Sequence, residues 1–346
     1  MTEINVLVTG AGALLGQGIL RTLRDVKGYK LKIISADPDF KSSGHWLADV
    51  AVTIPLAKEN NYISRLEEFI KQYLIDIVFI GTDVELYTVS DNKKRLEQEY
   101  SVKIVVSNTS AIEIGDDKWL TTQFLKDHNF PYPKSFLSDD LNQALSFDHG
   151  LDFPLIAKPR VGARSIGLHL VKNDQQLNEV IRSNTNYIIQ ECIPDDEGEF
   201  TAGVIIYNDT VLSNIILRRD LRDGNTYRAY HEGYEKFKEI IAKMALELNI
   251  EGPCNFQFRV RNNEPVVFEI NSRFSGTTPI RSIFGINELQ VVLDYFFKDK
   301  TTFQFDVKNG VVLRTISDLF ISQKEWKEFE QNQINEKPRG QFKSFN

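Results

Sequence analysis

Short apolar runs alternate with amphipathic stretches through the first third of the chain. Stretches such as 15–26 and 61–74 repeat their apolar residues at helical spacing. The runs around them have the length and composition of buried strands: 4–9, 31–36, 77–81 and 102–106. This alternation predicts an α/β domain, a parallel sheet with helices on both faces. It ends near residue 112, where we place the first domain boundary.

The pattern changes beyond this boundary to longer strands and separate helices. Asp117 is expected to cap a helix over 118–128, and the apolar stripe of 231–249 predicts another helix. Further strands are predicted at 154–158, 168–171, 186–191, 199–207, 210–219, 253–260, 265–271 and 310–316. Neighbouring strands joined by tight turns favour an α+β region with antiparallel sheet.

The composition is that of an ordinary globular protein. Of the 346 residues, 42% are hydrophobic and 26% are charged, and the net charge is −7. This acidic balance argues against general binding to nucleic acid or membrane surfaces. No apolar run reaches the length of a membrane span, and the first residues lack a signal-peptide pattern. We therefore expect a cytoplasmic protein with neither nucleic acid nor membrane as a partner.

A glycine-rich stretch, VLVTGAGALLGQGIL, follows a predicted strand and begins a helix, which is the setting of a dinucleotide-binding turn. Gly10 and Gly12 fit the G-x-G-x-x-G pattern, but Leu15 stands in the third glycine's place. Asp37 ends the next strand, where a ribose-binding acid is expected. The stretch YEKFK at 234–238 resembles the Tyr-x-x-x-Lys pair of short-chain dehydrogenases. An NAD(P)-dependent short-chain-type oxidoreductase is therefore one alternative, and close packing of the glycines is another.

The stretch VVFEINSRFSG combines an apolar strand with polar chemistry. Because side chains alternate across a strand, Glu269, Asn271 and Arg273 are predicted to share one face. Phe268 and Ile270 are predicted to point to the other face, into a core. The polar side of a solvent-facing hairpin would give the same pattern.

The shared face suits a metal and a phosphoryl group. Carboxylate and amide oxygens are ligands for Mg²⁺, and Gln257 on the partner strand is expected to join Glu269 and Asn271 as a ligand. Arg273 offers planar donors to phosphate oxygens. A metal and an arginine together neutralise the charge of a transferred phosphoryl group.

A lysine and a glycine loop lie upstream, in DFPLIAKPRVGARSIG. A buried strand is predicted to end in Lys158, and the loop after it carries Gly162, Ser165 and Gly167. Lysine binds phosphate as a point charge, and glycines allow backbone N–H groups to close over phosphates. A lysine at a strand end before a mobile hairpin is the alternative.

The stretch YIIQECIPDDEGEFT is a candidate adenosine site. The backbone of Glu191 and Ile193 is predicted to pair with the edge of adenine, with Gln190 beside the amino group. Glu199 is expected to accept hydrogen bonds from the ribose hydroxyls.

In this order along the chain, the features resemble the ATP-grasp superfamily, and most nearly ligases similar to the carbamoyl-phosphate synthetase large subunit. GDDKWLTTQFLKDHNFPYPKSF is similar to the family's entry into the nucleotide domain, which implies that Lys118 contacts phosphate. The resemblance implies ATP with Mg²⁺ or Mn²⁺ as cofactors. It also assigns catalysis to Arg273 and Lys158, nucleotide binding to Lys118, Lys158, Gly162, Ser165, Gly167, Gln190, Glu191, Ile193 and Glu199, and the metal to Gln257, Glu269 and Asn271.

The resemblance implies three parts of the chain. A Rossmann-like domain is expected over 1–112, of a kind that usually binds no dinucleotide. An ATP-grasp domain with a lid subdomain at about 121–189 is expected over 113–300. A C-terminal strand and tail over 301–346 is expected to complete the ATP-grasp core.

The implied reaction joins a small-molecule carboxylate to an amine. The carboxylate attacks the γ-phosphate of ATP to give an acyl phosphate, and the amine then displaces phosphate to form an amide. The chain departs from carbamoyl-phosphate synthetases, since IPDDEG replaces a helical arm and neither a second ATP-grasp half nor a glutaminase domain is recognisable. These departures favour a single-step ligase, and a homodimer is compatible with it.

Candidate substrate ligands lie outside these motifs. A cluster of arginines suits an acidic substrate, and two acids follow a strand of the first domain at the edge where open sheets bind ligands. The arginines are Arg218, Arg219, Arg222, Arg228 and Arg281, and the acids are Asp83 and Glu85. A solvated basic loop and a helix cap at Asp83 are the alternatives.

Three functions remain open from the sequence. We favour the ATP-dependent carboxylate–amine ligase over the oxidoreductase and over a nucleotide-binding module without ligase chemistry. The intact acid–amide–arginine set distinguishes the first from the third.

Overall fold

The computed structural model describes residues 2–139, 150–162, 166–183 and 186–343. These residues form two six-stranded sheets, a four-stranded sheet and a two-stranded sheet. None of the helices in these ranges is long and apolar enough to span a lipid bilayer.

The first domain is a parallel sheet covered by helices. Its elements are β1 (Thr2–Val8), α1 (Leu14–Leu23), β2 (Tyr29–Asp37), β3 (Val50–Thr53), α2 (Tyr62–Gln72), β4 (Ile77–Phe79), α3 (Leu86–Tyr100), β5 (Lys103–Val105) and α4 (Thr109–Asp116), with 3-10 turns at Ser43–Leu47 and Asp83–Glu85. The strand order β3-β2-β1-β4-β5 is parallel throughout. This confirms the predicted alternation of strands and helices, and it brings the loops after β1 and β4 to one edge of the sheet.

A small antiparallel sheet follows, with a core of its own. Its elements are α5 (Lys118–Asp127), β6 (Ser135–Leu137), β7 (Leu155–Pro159), β8 (His169–Val171), α6 (Asp174–Ser183) and β9 (Tyr187–Glu191), and the strand order is β6-β9-β7-β8. The predicted cap of α5 is confirmed, because Asp117 Oδ1 accepts hydrogen bonds from the backbone N–H groups of Trp119 (2.8 Å) and Leu120 (3.4 Å).

The second six-stranded sheet is antiparallel and carries the polar strand pair. Its elements are β10 (Glu199–Tyr207), β11 (Thr210–Arg222), β12 (Asn225–His231), α7 (Lys238–Glu247), β13 (Gly252–Arg261), β14 (Glu264–Asn271), α8 (Thr278–Ile283), α9 (Glu288–Lys298) and β15 (Gly310–Leu313), and the strand order is β14-β13-β10-β11-β12-β15. Helix α7 buries one face of this sheet through Ile241, Met244 and Ala245. The other face is left for α8 and for the site.

The C-terminal segment divides between the two large sheets. It contains β16 (Asp318–Phe320), α10 (Gln323–Asn332), β17 (Ile334–Asn335) and β18 (Gln341–Lys343). Strand β15 extends the antiparallel sheet beside β12. The tail then returns to the first domain, where β17 pairs antiparallel with β3 and Phe329 packs against Trp46. This return was not predicted from the sequence.

The glycine-rich turn is closed by the protein itself. A Cβ added at Gly16 would overlap the carbonyl oxygen of Gly10, so close backbone packing requires a glycine there. The N–H group of Gly12 donates to Asp37 Oδ2 at 2.7 Å, and Ser42 Oγ donates to Asp37 Oδ1 at 2.7 Å. The acid that a dinucleotide ribose would use is therefore bound within the domain, which disfavours the oxidoreductase alternative.

Substitution of Gly16 tests this packing role. Gly16→Ala should lower the free energy of unfolding by about 3 kcal/mol, because the added methyl group meets backbone that cannot rotate away. Gly18→Ala, on the same helix, meets the side chain of Pro279 at 3.2 Å and the carbonyl oxygen of Ser275 at an ordinary 3.9 Å, and it should change stability by about 1 kcal/mol or less. Urea unfolding followed by circular dichroism measures both, and equal stabilities of the two variants would contradict this account.

Candidate active site

A cavity of about 480 Å³ lies where the antiparallel sheet, the small sheet and the first domain meet. Such a volume suits a ligand of nucleotide size. The first domain supplies the loops after β1 and β4, the small sheet supplies β7 and β9, and the antiparallel sheet supplies β10, β11, β13 and β14. The predicted residues that line it are Asp83, Lys118, Lys158, Gly162, Gln190, Glu191, Ile193, Glu199, Arg219, Gln257, Glu269 and Arg273.

Two buried lysines face this cavity without an acid partner. Lys158 Nζ donates to Gln190 Oε1 at 2.9 Å, and Lys118 Nζ donates to the carbonyl oxygen of Gly162 at 2.7 Å. No carboxylate in the described part of the chain lies within ion-pair distance of either ammonium group. Burial lowers the pKa of Lys158 to about 8, and burial also lowers the pKa of Lys118. Two buried cations of this kind favour an anionic ligand such as a polyphosphate.

The predicted metal ligands form one hydrogen-bonded cluster. Glu269 Oε1 accepts from Gln257 Nε2 at 2.8 Å and from Asn271 Nδ2 at 2.9 Å. The amide oxygens accept from arginines: Gln257 Oε1 from Arg219 at 2.5 Å and Asn271 Oδ1 from Arg273 at 2.8 Å.

This cluster can hold a magnesium ion. An amide oxygen has two lone pairs, so each keeps one for a cation after accepting a single hydrogen bond. Among the described residues, none donates to Glu269 Oε2, which leaves that carboxylate oxygen for the ion. No group of three or more His, Cys, Asp or Glu side chains suited to a metal occurs in the same ranges. One carboxylate suffices where phosphate oxygens supply further ligands.

The predicted ribose acid is already paired. Glu199 Oε1 accepts from Arg219 at 2.8 Å, and Glu199 Oε2 accepts from Arg259 at 3.3 Å. Arg259 also donates to the carbonyl oxygen of Ile193 at 2.8 Å. The Glu191 carboxylate bonds to Arg261 and to the N–H group of Lys134. Arginines on β11 and β13 thus fix the positions of the two acids, and the assignment of Glu191, Ile193 and Glu199 to adenosine stays a prediction.

Arg273 joins the two domains. Its Nε donates to Asp83 Oδ1 at 2.5 Å, its Nη1 to the carbonyl oxygen of Phe274 at 2.9 Å, and its Nη2 to Asn271. Asp83 therefore lies at the cavity, as predicted, but in contact with the arginine that follows β14.

The structure does not bring every predicted residue to the cavity. Ser165 lies outside the described residues. Gly167 is not among the lining residues and adopts a φ of +73° beside Tyr187. The Arg218 guanidinium stacks on the ring of Tyr230, 3.9 Å from its centroid, and faces a separate surface depression.

Two proposed substrate ligands are corrected by their burial. Glu85 accepts hydrogen bonds from the hydroxyl groups of Thr9, Tyr62 and Thr82 inside the first domain, and burial raises its pKa. Arg281 is 1% exposed and pairs with Glu288 at 3.0 Å beneath the antiparallel sheet. The sequence shows that these residues are charged and close to the motifs, but not that three hydroxyl groups bind Glu85 and that a buried acid pairs with Arg281.

Phe268 is a lining residue that the strand pattern placed wrongly. Gln257 pairs with Glu269 and Phe258 pairs with Val267, so Phe268 forms a bulge between them. The bulge turns its ring toward the cavity, where Lys158 Nζ lies 5.6 Å from the ring centroid. A strict two-residue alternation cannot reveal such a bulge. Arg259 and Arg314 also line the cavity and were not predicted. Arg259 lies two residues after Gln257 on the same strand but was given no role, and Arg314 lies outside the recognised motifs.

Comparison with known families agrees with this geometry. Residues 115–277 match the family model of the ATP-grasp domain, and residues 6–105 match that of the PylC-like N-terminal domain. This chain contains an ATP-grasp domain. The region that matches the ATP-grasp domain contains the small sheet and most strands of the antiparallel sheet. The region that matches the PylC-like N-terminal domain contains the parallel sheet.

Solved structures share the fold of this chain at low sequence identity. The N5-carboxyaminoimidazole synthetase of Staphylococcus aureus, complexed with ADP, is 16% identical, with 96% of this chain and 86% of that chain covered and a TM-score of 0.68. The biotin carboxylase domain of the Hydrogenobacter thermophilus 2-oxoglutarate carboxylase, with MgADP, ADP and bicarbonate, is 15% identical over 83% and 68%, with a TM-score of 0.64. The Campylobacter jejuni biotin carboxylase, in a complex with β,γ-ATP, is 17% identical over 83% and 70%, with a TM-score of 0.63.

The predicted enzyme class and cofactors agree with these findings. An ATP-dependent ligase with ATP and Mg²⁺ fits the matched family, and ADP or MgADP is bound in solved relatives. The oxidoreductase alternative is not favoured. Tyr234 packs against Phe200, with ring centroids 5.1 Å apart, and Lys238 pairs with Glu235 at 2.7 Å, so the two residues of YEKFK do not form a catalytic pair.

The lowered pKa of Lys158 predicts a pH-dependent affinity for nucleotide. Above pH 8 the free lysine loses its charge, so the Kd for a non-hydrolysable ATP analogue with Mg²⁺ should rise by about tenfold between pH 7 and pH 9.5. Lys118, Glu199, Arg259 and Glu269 are the other charged groups that act on this lysine.

Lys158→Arg is the matched control for this titration. A guanidinium stays protonated over the whole range, so the Kd of this variant should rise clearly less than that of the wild type, and Lys118, whose pKa is also lowered, accounts for any rise that remains. Isothermal titration calorimetry at constant ionic strength measures both proteins. The same pH dependence in the two proteins would show that another group titrates.

Proposed function

We propose that this ATP-grasp protein is an ATP-dependent carboxylate–amine ligase that forms an amide through an acyl phosphate and releases ADP and phosphate. The reaction needs a carboxylate brought to the γ-phosphate, and neutralisation of the phosphate charge while the group moves. The observation that carries the proposal is the pair of unpaired lysines opposite the Glu269 cluster, with Arg273 beside it.

Each group has a distinct role in this proposal. Lys118 and Lys158 bind phosphate oxygens as point charges, and Gly162 lines the cavity beside Lys118. Glu269, Asn271 and Gln257 hold Mg²⁺, which supplies charge neutralisation at the phosphates. Arg273 donates to the transferred phosphoryl group, for which its fork of N–H groups is suited.

A substrate panel tests the proposal directly. The full chain with Mg-ATP is incubated with paired carboxylic acids and amines, and ADP release and amide products are measured by a coupled assay and mass spectrometry. At least one pair should give an amide and ADP in equal amounts. Binding of ATP without ADP release across a broad panel would favour a nucleotide-binding module, and binding of NAD(P)H alone would reject the ligase.

Glu269→Gln should abolish ADP release while leaving the fold intact. The substitution removes the only carboxylate of the metal cluster, and loss of a metal-centred interaction costs several kcal/mol of transition-state stabilisation. We expect turnover to fall by about 1000-fold. Glu264→Gln, at the exposed end of the same hairpin, is the control and should keep full turnover. Normal turnover in Glu269→Gln would show that the metal site lies elsewhere.

Two further features belong to the proposal. Cys192 and Cys254 are both free, which agrees with a reducing compartment such as the cytoplasm. A homodimer is proposed because a related fold, the biotin carboxylase domain of 2-oxoglutarate carboxylase, was solved as a dimer. Light scattering after gel filtration measures the mass directly.

A further inference from the structure

Arg314 enters the cavity from the C-terminal segment, just after β15. Its backbone N–H donates to the carbonyl oxygen of Tyr227 at 3.0 Å, which fixes the chain beside β12. Its guanidinium donates through Nη2 to the carbonyl oxygen of Gly276. Gly276 in turn lies against Leu14 at the start of α1. The arginine therefore stands at the wall shared by the first domain and the antiparallel sheet.

This arginine has no acid partner. In the described ranges, none of the Asp or Glu side chains forms an ion pair or hydrogen bond with Arg314. Burial lowers its pKa, and the nearest charge that acts on it, Arg21, is also positive. One carbonyl oxygen satisfies only one of its five N–H groups, so donors remain for a ligand.

The other cavity arginines are already engaged. Arg219 and Arg259 share Glu199, and Arg273 is paired with Asp83. Arg314 is thus the only guanidinium among the described lining residues that faces the cavity without a carboxylate.

Arg314 is also separate from the two phosphate-site lysines. Lys158 lies on β7 and Lys118 begins α5, both beside the small sheet, whereas Arg314 follows β15 and donates to the carbonyl oxygen of Gly276. The lysines therefore reach the cavity from the small sheet, and Arg314 reaches it from the edge of the antiparallel sheet. The proposed function assigns the two lysines to the phosphates of the nucleotide and assigns no ligand to Arg314.

We infer that Arg314 binds an anionic group, a carboxylate or a phosphate, of the substrate that is joined in the ligase reaction. A guanidinium binds both groups through paired N–H donors. The uncapped start of α1, which also lines the cavity and has no acid in its first turn, adds positive potential there. The identity of this anion as a substrate group rests on the proposed function, whereas anion binding can be measured without turnover.

Binding of small anions tests the inference. The full chain is first saturated with Mg²⁺ and a non-hydrolysable ATP analogue, so that the lysine site is filled. Acetate, succinate and methyl phosphate are then titrated at constant ionic strength, with saturation-transfer NMR as the readout. The wild-type protein should bind at least one of these anions. Binding of acetate or succinate would indicate a carboxylate site, and binding of methyl phosphate would indicate a phosphate site.

Variants connect this binding to Arg314. Arg314→Met should weaken the anion by at least about tenfold, the size expected for a lost charge-assisted hydrogen bond, while the Kd of the ATP analogue changes by less than about twofold. Arg314→Lys should recover part of the affinity. The control is Arg24→Met, which removes a surface arginine at the C-terminal end of α1 that pairs with Asp49. This variant should bind the anion like the wild type.

Two outcomes would overturn the inference. One is that none of the three probes binds the analogue-saturated wild type with a Kd below about 50 mM. The other is equal affinity of wild type and Arg314→Met for the probe that binds. Neither outcome affects ADP release or the Kd of the analogue, so failure here is distinguishable from failure of the ligase proposal.

Discussion

The burial of two ammonium groups without a carboxylate in contact is the constraint on which the site depends. An unpaired buried charge is costly, and the lowered pKa of Lys158 and Lys118 reflects that cost. Among the described residues, only carbonyl and amide oxygens accept hydrogen bonds from these groups, so burial disfavours the charged lysines and a bound polyanion would favour them. The lysines lie on α5 and β7, and Glu269 lies on the other sheet. A nucleotide between them would therefore join two separate layers.

The first domain resembles a dinucleotide-binding fold, but its role in this structure is to form one wall of the cavity. Its glycine turn is packed so closely that Gly12 and Ser42 bind Asp37 from within. No ribose is needed to satisfy that carboxylate. What reaches the cavity instead is the loop after β4, which carries Asp83, and the start of α1. The domain therefore contributes the wall of the site and a contact to Arg273, while the residues proposed to bind the nucleotide lie on the other sheets.

Much of the fold and the main part of the site could be predicted from the sequence, because they depend on local patterns. Alternating runs predicted the parallel sheet, and the order of the motifs predicted that Lys158, Gln257 and Glu269 meet. The errors come from non-local effects. A β-bulge places the Phe268 ring at the cavity instead of the core, and Arg281 pairs with the buried acid Glu288 instead of facing the cavity. Arg314 and the tail strand β17 were missed because their partners lie far away in the chain.

The contact between Arg273 and Asp83 raises the question of whether this arginine is free to act on phosphate. Asp83 is 49% exposed, so solvent screens the pair, and such ion pairs contribute about 0.2–1 kcal/mol. A hydrogen bond to a charged group inside a cavity is worth about 1.5–3 kcal/mol. A bound phosphoryl group would therefore outcompete Asp83 for the guanidinium, while Asn271 and the Phe274 carbonyl keep the arginine in place. The weak ion pair orients Arg273 without withholding it from the reaction.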